Sequence, residues 1–203
     1  MLGLWTWNAG RDTRSFSGIV LSEGTLHIVP TNLRLQIKPM SAIKRAAGNA
    51  RIVPAHSSEQ LPMVRELFTE YANSIEVDLC FQGFSKELAE LPGDYAPPAG
   101  RLFVAYEANA PVGCVALRKI DEDICEMKRL YVRPSARGTG LGRQLAKLVI
   151  EGAREIGYQK MRLDTLASMK PAIALYESLA FHRIEPYYHN PSGCAVFMEL
   201  RLF

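Results

Sequence analysis

From Ala50 onward the apolar positions of this chain fall into two alternating periods. Arg51-Ile52-Val53 reads as a short strand. Ser57 and Gln60 form a capping box ahead of Leu61, Val64, Phe68, Tyr71 and Ile75, which recur at helical spacing. A second, shorter helix is predicted from near Ser85 to just before Pro92, and Pro92–Gly100 is a loop by composition. Strands follow at Leu102–Tyr106 and Val112–Arg118, separated by a turn at Ala108–Pro111, and Asp121-Glu122-Asp123 turns the chain into a strand at Ile124–Val132. Leu141, Leu145, Leu148, Val149, Gly152 and Ile156 then mark one helical face, with Gly157 placed to end the helix in the left-handed conformation. Met161–Asp164 is a strand, Ala172 to about Leu179 a helix, and Phe181–Ile184 and Ala195–Leu200 two last strands. This order predicts a mixed α/β sheet with antiparallel hairpins early and crossover helices later.

Residues 1–50 lack sustained periodicity and hold most of the basicity. They carry six basic and two acidic side chains, a net +4, whereas residues 51–203 are close to neutral at −1. The segment includes Trp5, Trp7 and several glycines, and Met40 stands near its end. It reads as an accessory extension over 1–49 ahead of a domain at 50–203. A short hairpin, a targeting segment or read-through from an upstream start remain alternatives. Nucleic-acid binding is not expected, because the near-neutral remainder shows no interleaving of aromatic and basic residues.

A length of 203 residues suffices for one substantial core. No apolar stretch approaches the roughly 20 residues of a membrane span, and no signal-peptide core precedes a clear cleavage site. A cytoplasmic protein without a membrane partner is the expectation. Cys80, Cys114, Cys125 and Cys194 are scattered, without CxxC or Cys/His spacing, so they read as small hydrophobes and no metal is expected. His56, His182 and His189 show no metal spacing either.

The candidate chemistry lies between the central strand and the long helix. Arg137-Gly138-Thr139-Gly140-Leu141-Gly142 follows an apolar run and opens a helix. Glycines there allow a tight turn and close approach of a ligand to the backbone, and the first amides of a helix are unpaired donors at its positive end. The segment lacks the Gly-Lys-Ser/Thr ending of a nucleoside-triphosphate loop and the spacing of a dinucleotide fold. A glycine-rich turn between strand and helix is also ordinary architecture.

Three segments in order resemble the GNAT N-acetyltransferase superfamily over roughly residues 51–200. They are the R-x-x-G-x-G loop at 137–142, the strand Glu126-Met127-Lys128-Arg129-Leu130-Tyr131-Val132 before it, and Leu175-Tyr176-Glu177-Ser178-Leu179-Ala180-Phe181, which is similar to the LYExxGF signature. Ala180 stands where that signature has glycine, and Met169 where many members carry asparagine. The resemblance implies a mixed, mainly antiparallel sheet flanked by helices, with an extra N-terminal segment here. It also implies acetyl-CoA as co-substrate. Its pantetheine arm would pair like an added strand with Leu130, Tyr131 and Val132, and its pyrophosphate would meet Arg137, Gly138, Thr139, Gly140, Leu141, Gly142 and Arg143. Arg133 and Lys147 are near enough in sequence to add charge.

The implied reaction is transfer of an acetyl group to an amine by direct attack in a ternary complex. An alkylammonium must first lose a proton, and the departing thiolate gains from receiving one. Glu126 matches the position of the family's base, and Tyr176 suits the acid. A structural ion pair with Lys128, Arg129 or Arg133 is the plain alternative for Glu126, and a core tyrosine for Tyr176. A CoA-binding module without turnover, or transfer of another acyl group, are the competing functions. The acceptor is a small-molecule amine or a peptide, a homodimer being compatible with either. Residues lining its site are expected from Ser74–Gly83, with Glu76 and Asp78, from Pro92–Gly100, and from Glu185–Pro191, with Tyr187 and Tyr188. Asp164 either binds a cation there or caps a helix.

Overall fold

The computed structural model describes residues 19–22, 25–28, 44–45, 50–75, 83–190 and 193–203. The chain divides into two compact units, Met1–Ser41 and Ala42–Phe203. Within the first, strands β1 (Ile19–Ser22) and β2 (Thr25–Ile28) form an antiparallel hairpin.

The second unit is built on one sheet. Strands β3 (Lys44–Arg45), β4 (Arg51–Pro54), β5 (Arg101–Glu107), β6 (Ala110–Lys119), β7 (Ile124–Val132), β8 (Lys160–Leu166), β9 (His182–Ile184) and β10 (Ala195–Arg201) lie in the order β3-β4-β5-β6-β7-β8-β10-β9. All neighbours are antiparallel except β7 and β8. The helices are α1 (Leu61–Ser74), α2 (Phe84–Glu90), α3 (Leu141–Ile156) and α4 (Lys170–Glu177). This is the mixed, mainly antiparallel sheet flanked by helices that the resemblance implies. The β3–β4 pairing, Lys44 to Ile52 and Arg45 to Arg51, brings residues from before Ala50 into the sheet.

Local chemistry sets the element ends. Ala108 and Asn109 both take positive φ, 47° and 67°, which gives the two-residue hairpin between β5 and β6 its twist. Gly157 closes α3 at φ 104°, its N–H donating to the carbonyls of Ala153 and Arg154. The capping box does not form as expected. The Ser57 hydroxyl donates to the Gln60 side-chain oxygen, Gln60 is the N-cap without a side-chain cap bond, and α1 begins at Leu61. Pro62 explains the shift: lacking an N–H, it is tolerated only in the first helical turn. Ile75 lies beyond that helix in an extended conformation.

Two cores flank the sheet. Helix α3 lays Leu141, Leu145, Val149 and Ala153 against Val115, Leu117, Cys125, Met127, Met161, Leu163, Met198 and Leu200. On the other side Val64, Leu67 and Phe68 of α1 join Leu102, Val104, Cys114 and Ala116. From Cys114 to Leu117 of β6, successive side chains go to opposite cores. Among the described residues no helix is long and apolar enough to cross a membrane.

Candidate active site

Strands β7 and β8 are joined only at their start, through the pairs Ile124–Lys160, Cys125–Met161 and Glu126–Arg162. Beyond Glu126 they part, and among the described residues the later half of β7 pairs with no strand on that side. Its backbone groups from Met127 to Val132 therefore border a gap between the two strands.

The opposite edge of β7 explains part of this divergence. Against β6, Cys114 pairs with Tyr131 and Ala116 with Lys128, so Arg129 and Leu130 oppose Val115 alone. This is a β-bulge, and Arg129 adopts a left-handed φ of 56°. Such a conformation costs of order 1–3 kcal/mol for a residue with a side chain. Lys128 and Arg129 consequently turn to Asp164 of β8 and Glu87 of α2, whereas Leu130 and Val132 pack with the α3 core and Tyr131 with that of α1.

At the far end of the gap lies the glycine loop, which opens α3. Gly138 and Gly140 take φ values of 78° and 84°, and a Cβ on either would meet no atom within 4 Å. Open space therefore stands over the loop. The first helical bond of α3 is Gln144 N–H to Gly140 O at 3.2 Å, so the amides of Leu141, Gly142 and Arg143 precede any intrahelical acceptor. The side chains are tied back to the chain: Arg137 Nε donates to Val132 O at 2.9 Å, the Thr139 hydroxyl to Ala136 O at 2.8 Å, and Arg143 Nη2 to Ser178 Oγ at 2.7 Å. Arg133 does not join them. Its guanidinium donates to Glu66, Glu70 and the Pro111 carbonyl, which fixes α1 to the end of β7 instead of supplying charge for phosphate.

Glu126 lies inside this architecture at 1% exposure. Arg118 Nε donates to its Oε2 at 2.7 Å, Arg118 Nη2 approaches the same atom at 2.7 Å, and Tyr187 Oη donates to Oε1 at 2.7 Å. Lys128 Nζ is 3.8 Å from Oε1 and donates to Asp164 Oδ1 at 3.1 Å. The ion pair is thus made chiefly with Arg118. Arg129 turns elsewhere, and Arg133 to α1. Burial alone pushes the Asp164 carboxyl up, but the Lys128 ammonium and a Tyr188 hydrogen bond outweigh it and hold Asp164 below its usual range. Burial pushes the Tyr187 phenol far up, and the Glu126 carboxylate adds to that. Asp164 lies within β8, so it caps no helix.

Tyr176 is buried in α4 against Phe181, ring centroids 5.8 Å apart. Burial, with Tyr71 and Asp164 nearby, pushes its phenol well up, so the hydroxyl keeps its proton at neutral pH. Ala180, in the place of the signature glycine, takes φ 68°, the left-handed geometry that glycine adopts freely. Met169 is the N-cap of α4, and its sulfur accepts the Thr165 hydroxyl at 3.7 Å.

The regions expected around an acceptor divide. Tyr187, Tyr188 and Phe197 form an aromatic trio with centroids 5.2–5.3 Å apart, and Arg162 lies over the Tyr187 ring at 5.2 Å. In the Pro92–Gly100 loop, Tyr95 is buried and its hydroxyl donates to Glu87 Oε1 at 2.7 Å, so this residue supports the core. Glu76 and Asp78 lie outside the described residues. Among the described residues no group of three or more His, Cys, Asp or Glu side chains is placed to hold a metal.

One pair escaped the sequence reading. Glu87 of α2 takes a two-pronged bond from Arg129, at 2.9 Å from Nε and 2.6 Å from Nη2. The Arg129 guanidinium also faces the rings of Phe84 at 5.1 Å and Tyr71 at 5.9 Å. Burial raises the Glu87 carboxyl, yet Arg129 brings it to a net value below its usual range. Removing one partner from such a buried pair costs about 3–5 kcal/mol.

A sequence model of the acetyltransferase (GNAT) family matches residues 61–181, from α1 to the end of the Leu175–Phe181 signature. The chain belongs to this family. An uncharacterised N-acetyltransferase of Schizosaccharomyces pombe is 41% identical over 157 residues, which is 76% of this chain and 96% of that protein. Among solved structures, an acetyltransferase from Streptococcus agalactiae superposes with a TM-score of 0.64 at 21% identity, over 75% of this chain and 98% of its own. An acetyltransferase from Salmonella typhimurium, solved with its cofactor acetyl-CoA, gives 0.56 at 22% identity, over 76% and 94%. The GNAT fold of this chain therefore rests on sequence and shape together, and as a member of the family it is an acyltransferase.

Proposed function

We propose that the protein is an acetyl-CoA-dependent N-acetyltransferase acting on the amine of a small molecule or peptide by direct attack in a ternary complex. The observation that carries this reading is the gap beside Met127–Val132, which leads to the open, left-handed glycine loop at the start of α3. The gap suits an extended amide-bearing arm, and the amides of Leu141, Gly142 and Arg143 suit its pyrophosphate. Leu130, Tyr131 and Val132 line the first, and Arg137 to Arg143 the second.

Tyr176 is the proton donor to the departing sulfur, a role consistent with a phenol held protonated. Glu126 is the base, and its burial means that it acts through Tyr187. The acceptor's ammonium proton passes to Tyr187 Oη as the Tyr187 proton passes to Glu126 Oε1. The freed amine nitrogen bonds the acetyl carbon, the carbon–sulfur bond breaks, sulfur receives the Tyr176 proton, and the second proton that the nitrogen sheds on becoming an amide restores the Tyr176 hydroxyl through solvent. The close Arg118 contact favours a second reading, in which Glu126 is a structural ion pair and solvent takes the proton.

Calorimetry on Gly140→Asp tests the cofactor site. Aspartate tolerates the left-handed conformation better than most residues, so the fold should persist while CoA affinity falls at least about 100-fold from repulsion of the pyrophosphate. Unchanged affinity in a folded variant overturns the assignment. A screen for acetyl-CoA consumption over amines, amino acids and peptides then identifies the acceptor.

A further inference from the structure

We infer that Glu87 and Arg129 form a positioning pair that holds the bulge of β7, and through it the face on which the cofactor-side backbone is presented. The inference rests on the acetyltransferase reading above and adds to it a control element outside the glycine loop and the two proton-carrying residues.

The bulge inserts one residue, and in a strand one residue reverses the facing of everything that follows. Because of it, Leu130 and Val132 pack toward α3 while Tyr131 packs toward α1. Without it these three residues would exchange faces, and the amides and carbonyls that border the gap beside β8 would exchange with those directed at β6. The residue holding this switch is an arginine in a left-handed conformation, which has no local reason to stay there. Its constraint comes from the side chain. Glu87 grips the guanidinium at two points, Tyr95 holds Glu87 Oε1, and the rings of Phe84 and Tyr71 bracket the group. The Arg129 carbonyl is fixed as well, accepting the Cys114 thiol at 3.4 Å.

The pair also ties the bulge to two helices. Glu87 and Phe84 belong to α2, whose Leu88 carbonyl accepts Arg65 Nε of α1 at 3.0 Å. A shift of α2 therefore reaches the bulge of β7 through the Glu87–Arg129 contact.

The test separates the bulge from the charge. In the full chain carrying Glu87→Gln, position 129 is changed in turn to Gly, Asn, Ala and Val, all neutral, with decreasing tolerance of the left-handed region. CoA affinity is measured by calorimetry and thermal stability by circular dichroism. The expected result is affinity falling in that order, with Arg129→Gly within about threefold of the unmodified chain and Arg129→Ala at least about tenfold weaker, whatever the fate of Arg129→Val. Equal affinity across Gly, Asn and Ala, whether strong or weak, overturns the proposal, as does a loss that follows melting temperature alone. Failure of the unmodified chain to bind CoA would instead remove the acetyltransferase reading itself, and it is seen before any variant is compared.

Discussion

The two faces of β7 are made of different material. Toward α3 the strand presents Cys125 and Met127 to a core composed of leucine, methionine, valine and alanine. One residue away, toward α1 and α2, Glu126, Lys128 and Arg129 meet Arg118, Asp164 and Glu87. Both faces are buried, so exposure does not distinguish them. The difference is that the α3 face satisfies itself by packing, while every group on the other depends on a named partner. A substitution on the first should change stability and spare the chemistry. A substitution on the second should alter the chemistry as well, whatever it costs in stability.

The sharpest break of this comparison is expected at the proton-carrying groups. Glu126→Gln should lower kcat by about 10²- to 10⁴-fold with CoA affinity little changed. Tyr176→Phe keeps the ring against Phe181, so its melting temperature should hold while turnover falls over a similar range. Near-normal turnover in an assay sensitive to the chemical step would return Tyr176 to a packing role. For Glu126→Gln the same outcome would leave Glu126 as an ion pair.

Leu163→Ala on the α3 face provides the opposite result. It should cost about 2–5 kcal/mol of stability in denaturant unfolding, with kcat unchanged while the chain remains folded. A fall in kcat at constant foldedness would show that the apolar face reaches the reaction.

Acid should reveal the charged face next. Asp164 and Glu87 have folded-state values below their ordinary 3.8 and 4.5. Their stabilisation is therefore complete above the unfolded values and is lost as pH falls through the lowered ones. Melting temperature should drop as pH falls through these ordinary values to the lowered ones, and less steeply in Glu87→Gln. Parallel slopes would remove Glu87 from the acid response.

The smallest effect is expected at Gly142, where an added Cβ would make ordinary contacts with Val132 at 3.7 Å and Leu175 at 3.8 Å. Gly142→Ala should stabilise the protein by about 0.4–1 kcal/mol and leave CoA affinity within twofold, because the amide is retained. A large loss of affinity would mean that the ligand approaches this position more closely than the amide geometry implies.

The contrast between faces also marks what the residues alone disclose. Ile124–Val132 is legible as a strand because an acidic turn and Pro134 bound it. The long helix is legible from its apolar stripe and from Gly157. The bulge is not, since Arg129 carries none of the local preference for positive φ that glycine or asparagine signals. Arg118 offered a readable clue: folding β6 back on β7 across the turn at residues 121–123 sets it opposite Glu126. Tyr187 and Glu87 offered none, lying 61 and 42 residues from the groups they bind. Only the closed sheet brings them there.

The strand order carries a consequence for how the molecule comes into being. Strand β10, the last in sequence, lies between β8 and β9. During synthesis the meander from β4 to β7 can assemble as it emerges, yet β8 keeps a bare edge and β9 has nothing to pair with until residues 195–201 leave the ribosome. Ribosome-bound chains halted before Ala195 should thus be the aggregation-prone species, and the ring of Tyr187, whose hydroxyl binds Glu126, gains its Phe197 neighbour only once β10 has emerged.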